Sequence, residues 1–224
     1  MNPKNVFIWL NPSYFWPRSI SPDLNSDLDM KTDKLNVQFG VVAVLIVVAA
    51  LSRLVMHLPN FTPITGMALF AAAHFSKKYW AFVIPMLALF LSNLILNNVV
   101  YAEFYDGFVL FGSASILWVF LAFAGIIALG LVVLQKLTLT RLVGVTFVGS
   151  LLFFVVTNLA VWYFGPPFYP KTWAGLVECF TLAIPFYRNM LLGDLFYVTA
   201  LFGSYELLRY LAPQWNLQTQ LQRG

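Results

Sequence analysis

Nine polar residues interrupt long apolar stretches of this chain: Arg53, His57, Asn60, Asn93, Asn97, Asn158, Arg188, Asn189 and Asp194. Polar and ionisable groups are costly in hydrocarbon, so in membrane helices they face one another or a cavity. Arg53 and His57 stand four residues apart, as do Asn93 and Asn97, and Asn158 and Trp162. Residues at that spacing share one face of a helix. Such groups suit hydrogen-bonded and ionic recognition of a small polar solute. Arg53 and Arg188 would meet an anionic group, and Asp194 would fix an arginine or meet a donor. Trp162 and Trp173 would offer stacking surfaces.

The elements that must position these groups are membrane helices. The chain has 224 residues, 60% hydrophobic and only 10% charged, whereas a soluble domain carries about a quarter charged residues. The expected fold is therefore an all-α polytopic membrane protein. It comprises about six transmembrane helices in one bundle, plus a short re-entrant or interfacial helix. The predicted spans are 37–56, 64–75, 79–97, 111–134, 142–164 and 189–211, each judged against the roughly 20 apolar residues a crossing needs. The second is short and rich in small residues, and Ala68 and Ala72 with Gly66 and Ala71 give it a face for close packing, within the protein or against another subunit. Pro85 lies inside the third. Residues 173–184 form the short extra segment, ended by Pro185. Thr62 is expected to cap the second span, with Pro63 at its first position. Capping leaves Asn60 unaccounted for, and a helix start is also a place where an anionic group can meet free N–H groups.

Flanking the bundle, residues 1–34 are predicted to be a polar, disordered tail, 35–212 the transmembrane domain, and 213–224 a short cytoplasmic tail. Met30-Lys31 would also make a natural translation start. Lys77, Lys78, Lys136, Arg141, Arg209 and Arg223 fall on one side of this arrangement, and Glu103, Asp106 and Lys171 on the other. The positive-inside rule then places both termini inside. All nine polar residues fall towards the outer side, as expected for a pocket open to one face in a bacterial cytoplasmic-membrane protein.

Each group also has a purely structural role open to it. Arg53 can snorkel to headgroups, membrane asparagines bridge helices, and Trp162, Tyr163 and Phe164 suit an interfacial aromatic belt. Asp194 needs a partner, and Arg53 is the candidate. Glu178 could line the pocket or face water. Cys179, the one cysteine, reads as a small buried hydrophobe. His57 and His74 fall on opposite sides and cannot share a metal. No phosphate loop, metalloprotease motif or nucleophile elbow is present. The net charge of +4 is scattered, with no run to follow a nucleic-acid backbone. No cofactor is implied, no nucleic-acid partner is expected, and no catalytic residue stands out.

Three irregular stretches carry a resemblance. The runs 51–64 (Leu-Ser-Arg-Leu through His-Leu-Pro-Asn-Phe-Thr-Pro-Ile), 183–189 (Ala-Ile-Pro-Phe-Tyr-Arg-Asn) and 192–197 (Leu-Gly-Asp-Leu-Phe-Tyr) resemble a bacterial family regarded as membrane transport proteins, the domain of unknown function 6580. The likeness covers roughly 37–205. That family is in turn similar to the S components of energy-coupling-factor vitamin transporters, which implies six helices and a ligand bound from the outer side. S components dock their coupling subunit through Ala-xxx-Ala in the first helix; here Ala43, Ala49 and Ala50 lack that spacing.

The sequence thus predicts a transport protein that binds a small, vitamin-like solute, with the lipid bilayer and an energising transporter module as partners. The expected pocket is Arg53, His57, Asn60, Asn93, Asn158, Trp162, Trp173, Arg188, Asn189 and Asp194. Two other readings remain open: a membrane-embedded enzyme acting on a lipid or prenyl substrate through Asp194, Glu178 and His57, and a structural or assembly subunit whose polar residues are all internally paired.

Overall fold

The computed structural model describes residues 22–55, 59–112, 116–165 and 167–212, with side chains from residue 37 onwards. Two compact units divide the chain, Met1–Phe39 and Gly40–Gly224. Described residues of the first unit are helical from Pro22 on. The polar run from Pro22 to Lys34 forms the first part of α1. The stretch before it, Met30's place as a start and the tail from 213 lie outside what the structure decides or describes.

Six α-helices follow in order: α1 Pro22–Ser52, α2 Ile64–His74, α3 Lys78–Ile95, α4 Ile116–Val133, α5 Leu139–Phe164 and α6 Trp173–Leu211. No strand occurs among the described residues. Four helical stretches are long and apolar enough to cross a membrane: Lys78–Val100, Ile116–Val133, Leu139–Phe164 and Trp173–Leu211. Val37–Ser52 and Ile64–His74 are shorter apolar helices. Val44, Leu87, Leu117, Val132 and Leu192 are all at least half exposed. An apolar exterior of this kind suits lipid, and the protein is a helical membrane protein.

The expected break at Pro185 is absent. Helix α6 runs through it for 39 residues, roughly 58 Å at 1.5 Å per residue. Proline costs a helix one i→i−4 bond and crowds the preceding turn. Here Ala183 and Met190, on either side of it, are buried against the bundle, and that packing carries the helix across. The helix starts at Thr172, whose hydroxyl accepts a hydrogen bond from the Gly175 N–H at 3.2 Å. The short re-entrant segment and the last span are thus one element.

Helix α2 is the centre of the bundle. Its 11 residues reach only roughly 16 Å, about half a bilayer core. Every residue from Ile64 to Ala71 is buried, and α3, α4, α5 and α6 all touch it. Small residues permit this crowding. A Cβ on Gly66 would stand 2.9 Å from the Cβ of Tyr197 on α6, and one on Gly130 of α4 would stand 2.8 Å from the Cβ of Ala72. The small-residue face is thus used inside the protein, against α4 and α6. At its far end His74 is enclosed by the rings of Phe70, Phe202 and Tyr205, and its Nδ1 bonds the Phe70 carbonyl at 2.9 Å.

Candidate functional site

The start of α2 is unusual. Pro63, not Thr62, occupies the N-cap position, with no side-chain capping bond. Proline there leaves the helix without the usual hydroxyl or carboxamide acceptor, so the N–H groups of the first turn need partners from elsewhere. Helix α6 brings one. Gly193 lets it approach: a Cβ at that position would lie 3.1 Å from both the Phe61 Cα and the Thr62 N. The next residue, Asp194, is then 1% exposed and lies against Thr65, interacting with its hydroxyl and its backbone N–H. Ser150 of α5 donates to Asp194 Oδ2 at 2.5 Å, while Oδ1 has no hydrogen-bond partner of full geometry. A negative end at a helix N-terminus is favoured by the aligned peptide dipoles. Asp194 thus places a carboxylate from another helix beside the first turn of α2.

Arg53 is not its partner. The Arg53 guanidinium instead donates through Nη1 to Ser92 Oγ of α3 at 2.7 Å. Among the described residues the ion pair is Arg209 with Glu206, at 2.9 Å. Arg53 Nε and Asn93 Nδ2 are buried with no hydrogen-bond partner. Ser92 in turn donates to the Leu89 carbonyl at 3.0 Å, so it is a relay into α3 and carries no charge of its own.

Beside Arg53 lies a cavity of about 340 Å³. Its polar lining is Arg53, Asn60, Thr62, Asn93, Thr157, Asn158 and Tyr187. Its apolar lining is Ile64, Ile116, Val119, Phe153, Phe154, Val161, Ala183, Phe186 and Met190. Arginine and Asn93 come from the ends of α1 and α3, and the aromatic wall from α5 and α6, where the Phe154 and Tyr187 rings are 4.9 Å apart. Thr157 Oγ1 donates to the Phe153 carbonyl at 2.8 Å and Asn158 Nδ2 to the Phe154 carbonyl at 2.8 Å. Both hydrogen bonds stay within α5 and set the side-chain rotamers. Below Asn93, α3 passes into a π-helical turn, Leu96–Val100, a local irregularity often found next to functional sites. Asn98 of that turn clamps the following loop, exchanging bonds of 2.7 and 2.8 Å with the Val109 backbone.

Four of the residues expected in the pocket, Arg53, Asn60, Asn93 and Asn158, line this one cavity. Asn60 has a second reason to be asparagine. Its φ is 61°, the left-handed region that asparagine tolerates better than most residues. His57 lies outside the described residues. The other five are placed elsewhere. Arg188 is exposed and Asn189 half-buried, and neither lines the cavity. Each step along a helix turns about 100°, so Ala183, Tyr187 and Met190 share the cavity face and Arg188 is rotated off it. Asp194 continues that face one turn beyond Met190 and is buried beside Thr65 and Ser150. Trp162 donates its indole N–H to the Pro170 carbonyl at 3.1 Å, and Lys171 Nζ bonds the Trp162 carbonyl. These contacts fasten Pro170 and Lys171 to the end of α5, and Trp162 does not line the cavity. Trp173 is 79% exposed. Glu178 is exposed, and the buried Cys179 thiol lies 3.7 Å from the Asn158 carbonyl.

Thr62, Thr157 and Tyr187 complete the polar lining and were not expected there. Thr157 neighbours Asn158 and Tyr187 neighbours Arg188, so a helical-wheel reading anchored on Ala183 would have found Tyr187. Among the described residues no group of three metal-ligating side chains exists.

With the geometry in place, the family can be stated. A family of unknown function, DUF6580, matches residues 33–215. The chain belongs to that family. The match spans the whole of α2 to α6, and so every residue that lines the cavity. No curated protein and no solved structure matches the chain.

Proposed function

We propose that this protein binds a small solute in the cavity beside Arg53 as part of membrane transport. The observation that carries the reading is an arginine with no carboxylate at ion-pair distance among the described residues, set in the wall of a cavity about 340 Å³ in volume. Small-molecule sites are mostly apolar clefts of roughly 300–1,000 Å³ with a few polar groups that fix orientation. This cavity has that composition and is small for a lipid. The distribution of Lys and Arg supports an outward-facing opening and both termini inside the bacterial cytoplasmic membrane. Likeness to S components belongs to the same proposal, as does an energising partner module.

The enzyme reading requires a carboxylate, histidine or thiol facing the reacting centre. No such group is among the described residues lining the cavity. The assembly reading requires the polar groups to satisfy one another. Arg53, Arg188 and Asp194 are not paired with each other.

A thermal-shift screen of detergent-purified protein against vitamins, their precursors and small metabolites tests the proposal. A solute at 100 times its Kd stabilises the folded form by about 2.7 kcal/mol, roughly 5–10 °C for a chain of this size. The shift should vanish in Ala183→Trp, which fills the cavity. A broad screen with no stabilising solute overturns the proposal.

A further inference from the structure

Resting on that reading of the cavity, we infer that its solute is an organic monoanion: a single carboxylate seated on Arg53, with an apolar, preferably aromatic, body against the α5–α6 wall. The argument begins with charge. The Arg53 side chain is half-buried and its Nε wholly so, and a charge drawn out of water without a counter-charge is disfavoured. Arg53 has one neutral hydrogen-bond acceptor, Ser92 Oγ at 2.7 Å, and no carboxylate at ion-pair distance among the described residues. Its Nε and the Asn93 Nδ2 are buried donors without acceptors. The two residues sit in the same wall. A carboxylate offers two oxygens and about four acceptor sites, and is matched to the planar guanidinium fork.

Stoichiometry selects the anion. Arg53 is the only cationic side chain among the described residues lining the cavity. One cation neutralises one negative charge. A phosphate monoester, carrying about −1.5 to −2 at neutral pH, would enter with charge that this lining does not neutralise. The remainder of the cavity selects the body. Phe153 and Phe154 of α5 and Phe186 and Met190 of α6 give the cavity an apolar lining, which favours a ring or branched hydrocarbon over a sugar.

Equilibrium binding to the intact protein in detergent tests this. The probes are arylalkyl carboxylates, with 3-phenylpropionate and 4-phenylbutyrate among them, beside the matching primary amides, alcohols and phosphate monoesters. Expected is binding of carboxylates at least tenfold tighter than of amides and alcohols, with phosphate esters weaker than carboxylates. In Arg53→Gln carboxylate affinity should drop by roughly thirtyfold or more, the range for removing one partner of a buried charge pair, and the gap to the amides should close. Arg53→Lys should retain part of the preference. Equal binding of carboxylates and amides by the unaltered protein overturns the monoanion inference while leaving solute binding intact, and that comparison stands even if the variants do not fold. Tighter binding of the phosphate esters overturns the charge stoichiometry. Failure of every probe, together with failure of the metabolite screen, removes the cavity reading itself.

Discussion

Replacing Ser150 by alanine isolates the contact that joins α5 to α6 at the start of α2. In the native protein Ser150 Oγ donates to Asp194 Oδ2 at 2.5 Å, and both residues are almost wholly buried. Hydrogen bonds to a charged acceptor contribute about 1.5–3 kcal/mol. Polar contacts between membrane helices average nearer 0.6 and reach about 1.7 kcal/mol, because the unfolded state in the membrane finds substitutes. Here Oδ1 already lacks a hydrogen-bond partner, so the mutation strips Asp194 of the Ser150 donor and leaves Thr65 beside it. The expected loss is therefore at the upper end for a membrane contact, about 1.5–2 kcal/mol. At about 2–4 °C per kcal/mol for a chain of this length, the thermal midpoint in detergent should drop by roughly 3–8 °C. Adding Asp194→Leu to Ser150→Ala should recover part of that loss, since removing both partners relieves the stranded carboxylate. A midpoint within about 1 °C of the native protein in Ser150→Ala would refute the reasoning. So would strictly additive losses in the double variant, measured as a thermodynamic cycle.

Three further outcomes follow from the same geometry. Arg53→Gln should leave the ligand-free midpoint unchanged or raise it, because the variant removes an uncompensated charge while keeping a donor for Ser92; a drop above about 1 kcal/mol by thermal melting would show that Arg53 is paired after all. Gly193→Ala should cost about 1–3 kcal/mol, since its Cβ would press on the backbone of Phe61 and Thr62 at 3.1 Å, whereas Gly203→Ala, with nothing within 4 Å, should be neutral or stabilise by up to about 1 kcal/mol; equal midpoints for the two variants would contradict the close α6–loop approach. Pro185→Ala restores an N–H to the middle of α6 and should stabilise the helix while reshaping the wall that Ala183, Phe186 and Tyr187 present; solute affinity that stays the same in a titration would separate the proline from the cavity.

Much of the architecture was legible because hydropathy is a local property. Stretches of apolar residues long enough to cross a bilayer read directly as α3, α4 and α5, and polar residues at their ends read as lining. Arg53, Asn60, Asn93 and Asn158 line the cavity together. Composition also gave the small-residue face of α2, whose glycine and alanines admit neighbouring backbones.

Residue-level facing was not legible in the same way. A rotation of about 100° per residue separates Tyr187 in the wall from Arg188 outside it, and local sequence does not set the origin of that rotation. Pro185 pointed to a break, yet packing on both sides of it holds α6 continuous. Asp194 was read as an ionic partner for Arg53, but α2 stops short of a full crossing and its uncapped start claims the carboxylate first, leaving Arg53 facing the cavity. Sequence alone, then, determined that this is a helical membrane protein with polar groups gathered towards one end, because hydrophobicity and helix length act residue by residue. Only the tertiary structure decided which polar groups satisfy one another and which line the cavity, because that division depends on distances between helices far apart in the chain.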